Sequence, residues 1–215
     1  MIEPQIKIYL GDCMEAMAKI PDNAYDLAIV DPPYGINVAT EIDRSGFREG
    51  SSKNSLSKYE SSMKDKKWDN LPPNKEYFNE LFRISKNQII WGGNYFDLKP
   101  TRCFIVWDKM TYIPTMSQIE LAWTSIKKHS QLVKINSNQL DRFHPTQKPV
   151  PLYKWLLHNY AKEGDKILDT HGGSMSIALA CHEMGFDLDL WELDPEYYNA
   201  GLKRFNDHKA QLRIW

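Results

Sequence analysis

Asp31-Pro32-Pro33-Tyr34 sets a carboxylate, two conformationally fixed residues and an aromatic ring in four consecutive positions, directly after the apolar run Asp26-Leu27-Ala28-Ile29-Val30. The prolines lock φ, so the carbonyls they carry do not wander. A carboxylate, a fixed carbonyl and a ring face together suit one task, gripping a planar group that bears an amine. A proline turn closing a strand would account for Asp-Pro-Pro but not for the tyrosine that follows.

Ile167-Leu168-Asp169-Thr170-His171-Gly172-Gly173-Ser174-Met175-Ser176 is the second group. Strand, acid, glycine turn and helix start, in that order, form a nucleotide-type cofactor loop, where glycine lets backbone approach a ligand. Glu192 ends the next apolar strand, roughly 20 residues on, where an acid can hold ribose hydroxyls. The G-x-G-x-x-G order of a phosphate cradle is absent. A third group, His144-Pro145-Thr146-Gln147-Lys148-Pro149, precedes an amphipathic helix. His144 reads as an ordinary loop histidine, while Lys148 stands where it could pair with a ligand's carboxylate. The six histidines show no paired ligand spacing, so no metal is expected.

These groups need a frame that brings strand ends together. Residues 6–10, 26–30, 88–91, 104–107, 119–123, 166–168 and 188–191 read as seven strands, several of them apolar on both faces. Helices are expected over 13–20, around the stripe Tyr77, Phe78, Leu81 and Phe82, after Pro149, over 176–184 up to Gly185, and from Asp194-Pro195-Glu196. Residues 40–70 read as a long mobile loop and 125–143 as polar and loop-like. Strands alternating with helices predict an α/β fold, a mainly parallel, doubly wound sheet in one domain over 1–215. Ligands then belong beyond the carboxyl ends of the strands, where Asp31, Asp169 and Glu192 fall.

The chain has 215 residues, 42% of them hydrophobic and 26% charged, which excludes wholesale disorder. No apolar run approaches the ~20 residues of a bilayer crossing, and the N-terminus carries no secretory pattern. Three scattered cysteines read as reduced thiols of an intracellular, cytoplasmic protein. Net charge is −1, so nucleic acid would have to meet a local patch. Two stretches qualify. Residues 127–148 carry Lys127, Lys128, Lys134, Arg142 and Lys148 against Asp141, and residues 44–67 also sum to +4.

Taken together, these residues resemble the S-adenosylmethionine-dependent amino-methyltransferases of DNA, in the group whose catalytic motif precedes the cofactor motif, as in bacterial and phage members. The resemblance covers nearly the whole chain and implies a seven-stranded Rossmann-like methyltransferase sheet with permuted motif order. It implies that Asp31, Pro32, Pro33 and Tyr34 are catalytic, Asp being the form typical of adenine-N6 enzymes. Tyr9-Leu10-Gly11-Asp12-Cys13 is similar to the segment that meets the cofactor's adenine. Asp12, Cys13, Lys148, Asp169, His171, Gly173, Ser174 and Glu192 are thereby expected to bind S-adenosylmethionine. Ile90-Trp91-Gly92-Gly93-Asn94-Tyr95-Phe96 and Val106-Trp107-Asp108-Lys109 recur in the same family.

The implied partner is double-stranded DNA with a flipped adenine stacked on Tyr34, gripped through Lys127, Lys128, Lys134 and Arg142; a homodimer is left open. The family's target-recognition segment would be residues 124–143, which is short. The family loop usually reads Asp-Pro-Phe-x-Gly-Ser-Gly-Thr; here Thr170-His171 replaces Pro-Phe, and Met175 stands where the second glycine belongs. Met175 is expected to crowd the cofactor. Cytosine-N4 transfer, a nicotinamide-dependent oxidoreductase and a non-catalytic DNA-binding scaffold are the competing readings.

Overall fold

The computed structural model describes residues 3–36, 71–112, 117–138, 142–144 and 146–211. The loop expected over 40–70, with the cations of 44–67, therefore lies outside the described residues. Among the described residues eight strands form one sheet: β1 (Ile6–Leu10), β2 (Tyr25–Val30), β3 (Ser85–Trp91), β4 (Phe104–Asp108), β5 (Ile119–Thr124), β6 (Gln131–Lys134), β7 (Lys166–Asp169) and β8 (Asp187–Glu192). Their order across the sheet is β1-β8-β7-β2-β3-β5-β4-β6. Every pairing is parallel except those of β5, which runs against β3 and β4.

The expected seven strands become eight. The additional one, β6, lies inside the stretch read as loop, 125–143. Its Gln131, Leu132 and Lys134 are exposed and only Val133 is buried, so an edge strand of four residues shows no alternation from which it could be read.

Five helices among the described residues cover the sheet: α1 (Cys13–Met17), α2 (Lys75–Ile84), α3 (Val150–Tyr160), α4 (Ser176–Met184) and α5 (Pro195–Ala210). Side-chain alternation along β2 explains why both faces need cover. Ala28 and Val30 pack with Tyr77, Phe78, Leu81 and Ile84 of α2, while Leu27 and Ile29 join Leu152, Leu156 and Leu157 of α3 and Ile177 of α4. Phe82, expected on the buried stripe of α2, is 37% exposed; Ile84 takes the inward place. Local chemistry sets the helix starts. Asp12 caps α1 by accepting from Met14 N at 2.7 Å, Asn74 caps α2 through Tyr77 N at 3.0 Å, and Asp194 caps α5 with Pro195 in its first turn. Gly185, at φ 79°, ends α4 where expected.

Candidate active site

The carboxyl ends of β1, β2, β7 and β8 border one cavity of about 650 Å³, a size that suits a small-molecule ligand. Asp31 continues the alternation of Leu27 and Ile29 past the end of β2. Tyr34 Oη donates to Asp31 Oδ1 at 2.6 Å, and Lys148 Nζ donates to Asp31 Oδ2 at 2.5 Å. Lys148, 3% exposed, also lies 3.0 Å from Glu120 Oε2 and 5.1 Å from the centre of the Trp91 ring. Glu120 Oε1 in turn meets Lys109 Nζ at 2.7 Å. Burial pushes the Asp31 carboxyl above the usual carboxylate range, and Lys148 restrains the rise. Burial acts on Glu120 in the same sense, yet Lys148 and Lys109 outweigh it and hold Glu120 low. For Lys148, Asp31 and Glu120 outweigh the burial that would strip its proton, so its pKa lies above the ordinary lysine value.

The opposite part of the cavity is built on Glu192. Its Oε2 accepts from Gly173 N and its Oε1 from Asp194 N, each at 2.7 Å, which ties the glycine turn to the start of α5. Each carboxylate oxygen retains capacity for another donor. Gly172 is required by packing, because a Cβ there would stand 2.4 Å from Leu190 Cδ2. His171 is neutral, its pKa pushed down to about 4 by burial. Its Nδ1 meets Thr170 Oγ1 at 2.9 Å, and Thr170 Oγ1 meets Tyr77 Oη at 2.7 Å. That polar chain occupies the place where the resembled loop carries Pro-Phe.

Comparison with known proteins decides the family. A family model for DNA methylases of the N6/N4 type matches residues 56–203, 148 of the 215 residues. The chain belongs to the N6/N4 DNA methylases. The Asp31 motif lies ahead of the matched stretch. YubD of Escherichia coli (strain K12), a protein named as a methylase, is 26% identical over 220 residues, covering 90% of this chain and 87% of YubD. Among solved structures, PvuII DNA methyltransferase (cytosine-N4-specific) superposes with a TM-score of 0.61 at 15% identity, covering 98% of this chain and 88% of that one. The M1.HpyAVI-SAM complex gives 0.59 at 17% identity, over 93% and 100%. TTHA0409 of Thermus thermophilus, solved with S-adenosyl-L-methionine, gives 0.56 at 15% identity, over 97% of both chains. These likenesses establish a methyltransferase fold.

Within this methylase, Asp12, Cys13, Lys148, His171, Gly173, Ser174 and Glu192 all line the cavity, as do Asp31 and Pro33. Asp169, Pro32 and Tyr34 stand behind that lining. Asp169 is 2% exposed and accepts from His171 N at 2.9 Å, and burial pushes its pKa up to about 8. The Tyr34 ring is covered by Tyr95, nearly parallel at 15° with centroids 5.1 Å apart, and a Cβ on Gly92 would fall 2.2 Å from Tyr34 Cε1. Lys148 is spent on the protein's own carboxylates rather than held free for a ligand's.

Two further expectations need correction. Met175 does not crowd the cavity: it is fully buried, belongs to the core between α3, α4 and the sheet, and points at Gly201 of α5. Lys127 and Lys128 do not flank the site. Because β5 runs antiparallel, the turn after Thr124 sits at the opposite end of the sheet, and Lys128 Nζ donates to Asn159 O at the foot of α3. Lys134 is at the same end as Asp108, with which it pairs at 4.0 Å, and exposed Arg142 donates to His144 O at 3.4 Å, beside the cavity that His144 lines.

Several site residues escaped the sequence. His144 lines the cavity and packs edge-on against Tyr197, although as a lone loop histidine it carried no signal. Glu120 had one: an acid between Ile119 and Leu121 in an apolar strand must have a partner or face solvent.

Proposed function

We propose that this protein transfers a methyl group from S-adenosylmethionine to the N6 amine of an adenine flipped out of double-stranded DNA. The observation that carries the reading is the Asp31 carboxylate, held by Tyr34 and Lys148 at a strand end and opening onto a cavity whose far part is framed by Glu192 and the glycine turn. The residues fit the donor. Glu192 offers two acceptors for vicinal hydroxyls, and Asp12, Asp31, Glu192 and Asp194 give the lining an acidic character suited to a cation. Bound there, S-adenosylmethionine supplies an electrophilic methyl on a sulfonium.

An adenine amine is a poor nucleophile because its lone pair is delocalised into the ring. Asp31 and the carbonyl beside it accept the two amine hydrogens, which favours a pyramidal nitrogen with its lone pair directed into the cavity. Alignment and fixed charge supply most of the acceleration, and no covalent intermediate is needed. Pro32 and Pro33 hold the backbone acceptor still. Tyr34 steadies Asp31 through its hydroxyl; its ring is covered by Tyr95, so the stacking face expected of Tyr34 passes to Tyr95, which is 47% exposed. The base must leave the duplex to reach Asp31, and stacking of ~1–3 kcal/mol helps offset its extrusion.

The resemblance that associates Asp at this position with adenine favours N6 over cytosine N4. Incubation of DNA with methyl-labelled S-adenosylmethionine, digestion and identification of the nucleoside test this directly. N6-methyladenine is expected, lost in Asp31→Ala with cofactor affinity nearly intact. N4-methylcytosine would replace the target assignment, and absence of any methylated nucleoside would overturn the activity.

A further inference from the structure

We propose that Glu120 is the positioning residue that keeps Asp31 a strong acceptor: it takes half of Lys148, so that the buried lysine anchors Asp31 without neutralising it. The inference rests on the reading of Asp31 given above. Lys148 alone would form a closed pair with Asp31, leaving little charge for a target amine to sense. With Glu120 on the other side of the ammonium, at 3.0 Å against 2.5 Å for Asp31, the three groups carry one net negative charge.

That sign matters. As a neutral amine attacks a sulfonium methyl, positive charge appears on the nitrogen, and the negative charge of Asp31, only partly met by a shared Lys148, stabilises the change. Asp31 stands at the end of β2, Lys148 before α3, Glu120 on β5 and Lys109 just past β4, so four separate elements fix the cluster. Lys109 pairs with Glu120 on the outer side, so the four groups together are neutral, but their negative end, Asp31, is the one that lines the cavity. Glu120 is absent from the cavity lining, so it acts through Lys148 and meets neither donor nor base.

The charged and titratable groups bearing on Asp31 are Lys148, Glu120, Tyr34, Tyr77 of α2, Tyr153 of α3 and Asp169 of β7. Removing the charge of Glu120 hands Lys148 wholly to Asp31 and takes away a like charge, and both effects lower the pH at which Asp31 ionises. A residue that only supported the fold would leave that pH where it is.

The test compares the parent with Glu120→Gln and Glu120→Asp. In Glu120→Gln, kcat is expected to fall by about tenfold or more with KM for S-adenosylmethionine unchanged, while the acid limb of kcat moves down by about half a pH unit or more. Glu120→Asp should lie between the two in rate and limb, which keeps the test in hand if the amide variant does not fold. The carbon-13 resonance of the Asp31 carboxyl, assigned with Asp31→Asn, should titrate lower in the substituted proteins without DNA or cofactor. A parental kcat, or a limb and an Asp31 titration that do not move, would overturn the proposal. If the parent itself methylates nothing, the proposed activity fails, and the Asp31 titration still decides whether Glu120 controls the carboxylate.

Discussion

Met175 fills the space left by the missing side chain of Gly201: a Cβ on Gly201 would stand 2.7 Å from Met175 Cγ and 2.8 Å from its Sδ. Met175 holds a left-handed backbone, φ 57° and ψ 25°, at the N-cap of α4. Glycine adopts that conformation freely and methionine at a cost. The side chain offsets the cost by packing into the core.

Met175→Gly should therefore lower the melting temperature without tightening S-adenosylmethionine binding. Loss of a buried methionine costs ~2–5 kcal/mol, and relief of the left-handed backbone returns roughly 1 kcal/mol. Calorimetry and thermal unfolding check both halves. A variant that bound the cofactor more tightly would bring Met175 back to the ligand.

Glu192 holds the loop as well as facing the cavity, so Glu192→Ala should cost twice. Two backbone donors, Gly173 N and Asp194 N, lose their acceptor, and a buried unsatisfied donor costs ~1–3 kcal/mol. Cofactor affinity should drop by ~2–4 kcal/mol if two charge-assisted bonds to ribose hydroxyls disappear. A titration showing unchanged affinity in a folded variant would place the ribose elsewhere.

Asp169 predicts a pH dependence with a definite sign. Burial raises its pKa in the fold to about 8, from an ordinary value near 4, with Asp31 and Glu192 adding to the rise and the hydrogen bond from His171 N opposing it. Unfolding between those limits releases a proton, so stability falls as pH rises from about 4 to about 8. Asp169→Asn keeps an acceptor for His171 N and removes that slope. Its melting temperature relative to the parent should thus climb from pH 5 to pH 8. A constant difference across that range would show that the carboxyl is ionised throughout.

What could be read from the sequence follows from where the physics is local. Apolar runs ending in Asp31, Asp169 and Glu192 revealed the strand ends, and Gly185 marked the end of α4, because burial on both faces and a left-handed cap leave their mark residue by residue. The destination of Lys148 was not local. Its partner Glu120 is on a strand whose antiparallel direction depends on the whole sheet, and the same reversal carries Lys127 away from the site. Motif position misleads at Met175 because it says nothing about which way a side chain turns. The space Met175 occupies is defined by Gly201, on the next helix.

The reversal of β5 also decides which cations can meet DNA. Asp31 lies past the carboxyl end of β2, and β3, parallel to β2, pairs Trp91 with Ala122 and Ile89 with Thr124. Moving along β5 from Ile119 to Thr124 therefore descends the sheet by roughly 17 Å, at about 3.4 Å per residue. Lys127 and Lys128 follow at the bottom, where Lys128 is engaged with Asn159 O and with the Tyr160 ring, 4.8 Å from its centre. The chain then climbs again along β6, parallel to β4, and delivers Lys134 to the upper end. A duplex presenting a base to Asp31 is expected to meet Lys134 and Arg142, with its phosphates clear of Lys127. Each phosphate contact adds ~0.9 to the slope of log affinity against log salt concentration. Replacing Lys134 and Arg142 together by alanine should flatten that slope by up to ~2. The Lys127→Ala, Lys128→Ala pair should leave it as in the parent. Fluorescence anisotropy across a salt series separates the two, and a slope that responded to the Lys127 and Lys128 changes instead would require the DNA to approach from the other end of the sheet.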